Sequence, residues 1–466
     1  MSGLDELTRD ELVELVLKLH ETVQVQAQRI AELEGIVARQ AERIAYLEDQ
    51  LSKHGGDSKP HWVKANKPAR EPGSPRKKRK QSFARKSLPP SRVVCHAVDE
   101  CPECGRKLAD GWVKWRHQVV EIPPWHAEVT DHLFIERECG VCKRRCVPDS
   151  AGVLSEVVVG KRSIGINLMS LVAHLKTVCL VPIDKIRLLM ATLCGVSISN
   201  GEISELLSAV SEIGEREYER LRNEIRGSPY VHGDETGWRE NGVNGYLWSF
   251  STPTVRYFTY NHSRSGSVVT EVLGDEYLGA VVADFYGGYN VHSGLKQRCW
   301  VHFDRDLDEL VEKQPENADV AAWVDSALDV YYRAKATVEM DYTNTERRLL
   351  RWKFEAELLS LAKPYLSLED APQHVLAKRI DKFLDELFVF VEYPHIPSEN
   401  NAAERAIRPA VIARKVSGGT RSAKGSKAKS VLMSLFGTWG AQGMNTYHAC
   451  KQMIIQANCA RLAQPQ

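Results

Sequence analysis

The chain is 466 residues long, 43% of them apolar and 26% charged, with a formal net charge of +1. That length predicts several domains, and this balance excludes disorder of the whole chain. No run of eighteen apolar residues occurs, which excludes a membrane-spanning helix, and acids interrupt the first twenty residues, which excludes a secretory signal. The 11 cysteines, an odd number, read as core residues or metal ligands in a reducing cytoplasm rather than as a disulfide framework.

Leu12, Val16, Leu19, Val23, Gln26, Ile30, Leu33, Val37, Gln40, Ile44, Leu47 and Leu51 recur in steps of four and three with no proline between them. The spacing lays them on one seam of a helix. Residues 1–54 are therefore predicted to form a coiled coil through which the chain self-associates, Gln26 and Gln40 fixing the register. Residues 55–92 follow as a basic, disordered linker, densest at Lys77, Lys78 and Arg79 and broken by six prolines. It reads equally as an arm that neutralises DNA phosphates, releasing their counterions, and as a solvated spacer.

Residues 93–150 hold two CxxC knuckles, Cys101-Pro-Glu-Cys104 and Cys139-Gly-Val-Cys142. Four such thiolates suit one structural Zn2+, a tetrahedral ion that favours sulfur, with Cys95, His96 and Cys146 as substitutes nearby. The alternating stretch 126–138 makes this a small zinc-binding β module. A closed four-sulfur site serves folding rather than hydrolysis. Residues 151–227 show helical periodicity in successive runs, with a Gly-Val-Ser-Ile-Ser turn between two of them. That pattern is compatible with a helix-turn-helix on DNA and equally with any small helical bundle.

From residue 229 the apolar period falls to two. SPYVHGDET, GYLWSFST and VRYFTYNH read as three strands on short loops, a helix follows near Ser265–Leu273, and LGAVVADFY and KQRCWVHF read as two more strands. Three hairpin-linked strands followed by alternating helices and strands fit a mixed sheet of the ribonuclease H type over 228–303. Residues 304–395 read as charged helices, and 396–466 as a helix start, a basic Gly-rich loop and a last apolar helix. The predicted fold class is thus multidomain α+β and α/β: coiled coil, zinc-binding β module, helical domain, and a ribonuclease H-like catalytic domain.

Asp234 and Asp284 each stand at the end of an apolar run, where a carboxylate is costly unless solvated or paired with a cation. Two such acids on neighbouring strands, with Glu404 from a helix that Asn400 or Asn401 caps, would hold two Mg2+ or Mn2+ ions for phosphoryl transfer. Glu404 also reads as a surface partner of Arg408, four residues on. Glu235 alternates to the other face of the strand, and Glu399 is the rival third ligand. His302 and Arg305, after the last strand, are candidates for the phosphate. Arg405, Arg408, Arg414, Lys415, Arg421, Lys424, Lys427 and Lys429, interleaved with Gly418, Gly419 and Gly425, suit a nucleic-acid backbone.

The ordered set CPEC…CGVC, HGDETGWRENG (232–242), ADFYGGYN (283–290), CWVHFDR (299–305) and NNAAERAIRP (400–409) resembles the transposases of the insertion sequence 66 family over nearly the whole chain. The resemblance implies a DDE triad at Asp234, Asp284 and Glu404, which would be both the catalytic residues and the Mg2+ ligands. It implies a helical insertion before the helix bearing the glutamate, and metal-dependent cleavage and strand transfer of double-stranded DNA ends in bacteria, with accessory proteins of the element as partners. Gly233 departs from the alanine or valine that the family has before the first acid. The alternatives are a repurposed, non-catalytic DNA-binding protein and a structure-specific nuclease that cuts without joining.

Overall fold

The computed structural model describes residues 23, 24, 26, 88–120 and 126–462, in two compact units, Met1–Val120 and Glu121–Gln466. The predicted coiled coil, apart from Val23, Gln24 and Gln26, and the basic linker up to residue 87, with Lys77, Lys78 and Arg79, lie outside the described residues. In the first unit, Glu100 and Lys107 form an antiparallel bridge around the first knuckle. The second knuckle joins β1 (Arg137–Glu138) to β2 (Arg145–Cys146), an antiparallel pair in the second unit. The rest of the alternating stretch 126–138 carries no strand. Val129, Leu133 and Ile135 stay exposed there, so the alternation has no apolar face to bury.

The helical segment forms as its period predicts. After a capped turn, α1 (Ser150–Val153), come α2 (Ile166–Thr177), α3 (Ile183–Cys194), α4 (Asn200–Ile213) and α5 (Glu215–Arg226). Gly195 ends α3 in the left-handed conformation, φ 68°, and the Ser199 hydroxyl caps α4 on the N–H of Glu202. Helix α4 buries Ile203, Leu206, Leu207 and Val210, and its exposed positions include Glu205 and Glu212 but no cation.

The sheet comprises β3 (Tyr230–Glu240), β4 (Val243–Ser251), β5 (Arg256–Asn261), β6 (Ala280–Ala283) and β7 (Lys296–Arg298), in the order β5-β4-β3-β6-β7. The first three are antiparallel neighbours; β6 and β7 run parallel to β3. Asn241 (φ 48°) and Gly242 (φ 82°) close the β3–β4 hairpin, the two left-handed positions of a tight turn. Helix α6 (Ser267–Leu273) crosses from β5 to β6.

Two sequence expectations change here. Asp234 is the fifth residue of an 11-residue strand, not its end, because β4 pairs with the polar stretch beyond it. KQRCWVHF is a strand only at Lys296–Arg298; α7 (Trp300–Lys313) begins at once, because Trp300, Phe303 and Leu307 recur at helical spacing and are buried together. Helices α8 (Ala318–Ala336), α9 (Asn344–Ala362), α10 (His374–Leu387) and α11 (Val389–Glu392) build a separate apolar core with α7.

Three helices follow: α12 (Asn401–Ser417), α13 (Ala423–Ala441) and α14 (Thr446–Leu462). The two faces of the sheet bury different sets. Val231, Trp248 and Val281 pack with α2, α4, α13 and α14; Trp238, Leu247 and Phe258 pack with Ile407, Ala410 and Ala413 of α12.

Strand β5 is a sheet edge, and α13 closes it with hydroxyls. Ser430, Ser434 and Thr438 accept the N–H groups of Tyr260 (3.0 Å), Phe258 (2.8 Å) and Arg256 (3.0 Å). The periods match: four helical residues rise about 6 Å and two strand residues about 6.7 Å. Edge N–H groups left open are a template for pairing with other chains, so this ladder also blocks aggregation. Ser434→Ala leaves the buried Phe258 N–H without a partner and should lower unfolding free energy by about 1–3 kcal/mol in a denaturant titration, with the substitution of exposed Ser204 near zero.

Candidate active site

Asp234 sits on β3 opposite Ser249 of β4. Its side chain is half-buried on the sheet, and its Oδ1 accepts only the N–H of Glu235 (2.8 Å). Burial pushes the carboxyl up to about 7; the adjacent Glu235 and the charges of Asp284 and Glu404 push the same way, against the Glu235 N–H. Asp284 directly follows β6. In the parallel register His232 lies beside Val282, which, carried two residues on, puts Asp284 level with Asp234. Arg298 of β7, 1% exposed, donates to the Asp284 carbonyl (2.7 Å) and pairs with Glu386 of α10 (2.5 Å), so the loop after β6 is clamped from below.

Glu235 does alternate to the other face. Its carboxylate accepts the Tyr289 hydroxyl (2.8 Å) and the Arg264 guanidinium (2.7 Å), and Arg264 lies over the Tyr286 ring at 4.1 Å. The Tyr286 N–H in turn donates to Asp284 Oδ1 (2.9 Å). The second acid thus reaches the strand of the first through two tyrosines and an arginine. Gly233 belongs to this packing: a Cβ there would stand 2.6 Å from the Tyr289 ring.

Glu404 lies in the first turn of α12. It pairs with Arg305 (3.2 Å) and His302 (3.5 Å) of α7, not with Arg408. His302 and Arg305, read from sequence as phosphate contacts, therefore stand on the carboxylate, and the buried His302 Nδ1 has no partner. Glu399, the rival acid, faces Lys335 of α8 at 3.9 Å. Asn400 heads α12 but its side chain caps nothing; it bonds instead to His232 Nδ1 (2.8 Å) and the Gly233 carbonyl (2.8 Å). Burial drives His232 down to about 4 and keeps it neutral. Asn400, Arg264, Tyr289 and Arg298 were not found from sequence in these roles. The one signal was a pair of asparagines before Glu404, which suits a cap equally well.

The structure also sorts the cations. Arg405, Arg408 and Lys415 are exposed on one stripe of α12, and among the described residues no acid forms an ion pair with them. Lys424 and Lys427 of α13 pair with Glu212 (2.9 Å) and Glu215 (2.7 Å). Arg414 lies beside Gly237, and Lys429 packs on the Trp238 ring, where burial and then Lys176 hold its amine down at about 7.

Each cysteine knuckle, taken by itself, has the same turn. The N–H of Cys101 bonds to Arg106 O and that of Gly105 to Cys101 O; the N–H of Cys139 bonds to Arg144 O and that of Lys143 to Cys139 O. Gly105 (φ 68°) and Lys143 (φ 61°) occupy the left-handed position that closes each turn. Hydrogen bonds from the following backbone N–H groups, of Glu103 and Cys104 and of Cys142 and Val141, lower the thiol pKa of Cys101 and Cys139. As placed, no three His, Cys, Asp or Glu side chains among the described residues stand close enough to hold a metal ion. No described helix is long and apolar enough to cross a membrane.

Residues 161–428, more than half of the chain, match the family model described as Transposase IS66 family. The chain belongs to the IS66 family of transposases. It is also 30% identical over 177 residues to Uncharacterized protein y4jO of Sinorhizobium fredii (strain NBRC 101917 / NGR234), covering 38% of this chain and 52% of that protein. The chain therefore spans about half the length of this curated relative. The IS66 family match runs from before α2 to within α13 and includes all three acids.

The raised Asp234 carboxyl has a direct consequence for stability. Its ordinary value is 3.8 and its folded value about 7, so the folded state holds the proton longer than the unfolded one. The stability this gives is complete below about 4 and is lost as pH rises through about 7. Without metal, Asp234→Asn should melt close to the parent at a pH of about 4. At pH 8 it should melt higher, on the order of 2–4 °C, by scanning calorimetry.

Proposed function

We propose that this protein is a DDE-type transposase that cuts and joins insertion-sequence DNA ends. The observation that carries the reading is the placement of Asp234 mid-strand, level with Asp284 by the β3–β6 register, with the start of the Glu404 helix tied to Gly233; burial, then Glu235, then Asp284 and Glu404 raise its carboxyl. Three acids on neighbouring segments would repel on drawing closer unless a cation joined them. The sheet supports the reading: counted from its own first strand, the order is 3-2-1-4-5, which we read as the ribonuclease H type, with Asp234 on the first strand and Asp284 just after the fourth. The donor set, all carboxylate oxygen, fits Mg2+ or Mn2+.

When bound, two such ions supply charge neutralisation and an activated oxygen nucleophile for in-line displacement at phosphorus. Asp234, Asp284 and Glu404 would hold them. Glu404 would have to exchange Arg305 and His302 for a metal, which would free both side chains to meet a phosphate. Cleavage places water oxygen on phosphorus and releases a 3′-hydroxyl. In joining, that hydroxyl attacks a target phosphodiester and another 3′-oxygen leaves. Glu235 orients the loop of Asp284 from the opposite face.

The unpaired stripe Arg405, Arg408 and Lys415 starts beside Glu404 and suits a DNA backbone leading into the site. Each knuckle offers two thiolates shaped for zinc, and pairing through the heptad segment would bring two DNA ends together.

Two measurements test this. Asp234→Asn, Asp284→Asn and Glu404→Gln should each cut strand transfer in Mg2+ by roughly 10³-fold or more while end binding persists; joined product at the parent rate from Asp234→Asn sinks the assignment. In a salt titration of DNA affinity, Gln at Arg405, Arg408 or Lys415 should each reduce the log–log slope by about 0.9. Gln at Lys424 or Lys427, already neutralised by glutamates, should leave the slope near that of the parent.

A further inference from the structure

The hydrogen bonds around Asn400 meet each acid-bearing segment one residue before its acid or one helical turn away. Asn400 is 2% exposed. Its Nδ2 donates to the carbonyl of Gly233, which precedes Asp234 (2.8 Å). Its backbone N–H donates to Cys299 Sγ (3.0 Å), and the Cys299 N–H donates to the carbonyl of Ala283, which precedes Asp284 (2.9 Å). Its carbonyl accepts the N–H of Glu404 (3.3 Å). Its Oδ1 faces His232 Nδ1 at 2.8 Å.

The chemistry of that position is narrow. Gly233 O can only accept, which orients the amide and leaves Oδ1 to take the imidazole N–H. A carboxylate could serve His232 but would repel the Gly233 carbonyl; an apolar residue would leave both unpaired in the core. An asparagine heading a helix ordinarily accepts an N–H of its own first turn, and here it does not. Cys299 is fully buried at the start of α7, so its sulfur is fixed against Asn400.

We infer that Asn400 and Cys299 are positioning residues: a hydrogen-bonded node that fixes the spacing of Asp234, Asp284 and Glu404 and so sets the affinity of this site for a divalent cation. The inference rests on the reading that these three acids are the metal site. It goes beyond that reading in assigning metal affinity to side chains that touch no metal. Groups that orient ligands from behind typically govern affinity by 10–100-fold.

The test uses the full chain and Mn2+ alone, with free ion followed by electron paramagnetic resonance, beside melting curves. Asn400→Asp keeps the shape and the His232 partner and loses the donor to Gly233; Cys299→Ala loses the sulfur acceptor; Asn400→Ala loses the whole amide. Ser434→Ala, which weakens the fold at the far edge of the sheet, is the control for stability alone. The expected result is Mn2+ affinity about tenfold weaker or more in both Asn400 variants. The Mg2+ half-saturation of strand transfer should move by the same factor, with a smaller effect in Cys299→Ala and none in Ser434→Ala. Asn400 variants that fold and bind Mn2+ like the parent overturn the proposal. So does loss of the fold in all three node variants, which assigns the node to stability only. A parent protein that binds Mn2+ in an Asp234-dependent way yet never joins DNA counts against the transposase reading and leaves the node intact. Parent binding that Asp234→Asn does not change counts against the metal site itself.

Discussion

Asp234 is held at a sheet position where burial and the charges of Glu235, Asp284 and Glu404 all raise the cost of its own charge. A carboxylate in a half-buried sheet position loses hydration, and like charges beside it add to the cost, since the medium screens poorly there. Asp234 bears both penalties and has no cation of its own. What keeps the segments from separating is backbone attachment. Arg298 fixes the Asp284 carbonyl, Glu235 draws the same loop in through Tyr289 and Arg264, and Asn400 fastens the start of α12 to Gly233. None of these bonds uses an oxygen of Asp234 or Glu404 needed by a ligand. Asp234 and Asp284 each accept one backbone N–H, while Glu404 is engaged by Arg305 and His302, so the backbone ties carry the attachment and leave part of each aspartate unpartnered.

Charge elsewhere on this side of the molecule divides by the same logic. Of the basic residues that cluster between 405 and 429, those on α13 that reach acids are consumed structurally: Lys424 and Lys427 join α13 to the ends of α4 and α5. Those on the exposed stripe of α12 pair with no acid among the described residues. Net charge hides this, because the chain as a whole carries only +1. A polyanion meets not the sum but the unpaired stripe, and the stripe begins at the residue after Glu404.

Much of the sheet was legible because its strands alternate and its one tight hairpin carries Asn-Gly. The order of the acids along the chain was legible too. Two readings failed for a shared reason, that an apolar run marks burial and not the limits of an element. The run PYVHG stops at Gly233, yet β4 pairs with Asp234, Glu235 and Thr236, so the strand continues through polar residues. CWVHF is apolar like a strand, but its buried members, Trp300 and Phe303, are three apart and continue at Leu307, a helix face. Asn400 was legible as the start of a helix and illegible as a bridge, because its partners lie about 170 residues away and its local context satisfies a cap equally well. The roles of Arg264 and Tyr289 depend likewise on tertiary contacts that no local pattern encodes.

Strand β3 and helix α12 act as two rails tied at both ends. At one end Asn400 joins the start of α12 to Gly233. At the other, α12 ends at Gly418, left-handed at φ 72°, and the turn beyond it lies along the end of β3. The Thr420 N–H bonds to Arg239 O (2.8 Å), the Asn241 N–H to Thr420 O (2.8 Å), and Trp238 Nε1 to Thr420 Oγ1 (3.1 Å). Gly419 is required there, because a Cβ would meet the Arg239 carbonyl at 2.2 Å. From Gly233 to Arg239 is six strand residues, about 20 Å, and from Asn401 to Ser417 about 24 Å of helix. Two elements of nearly equal length, pinned at both ends, can neither slide nor rotate much against each other. Glu404 and the cations that follow it are thereby held in register with Asp234 along the whole of α12. A shift large enough to misplace the basic stripe would also have to break the bond that places the acid.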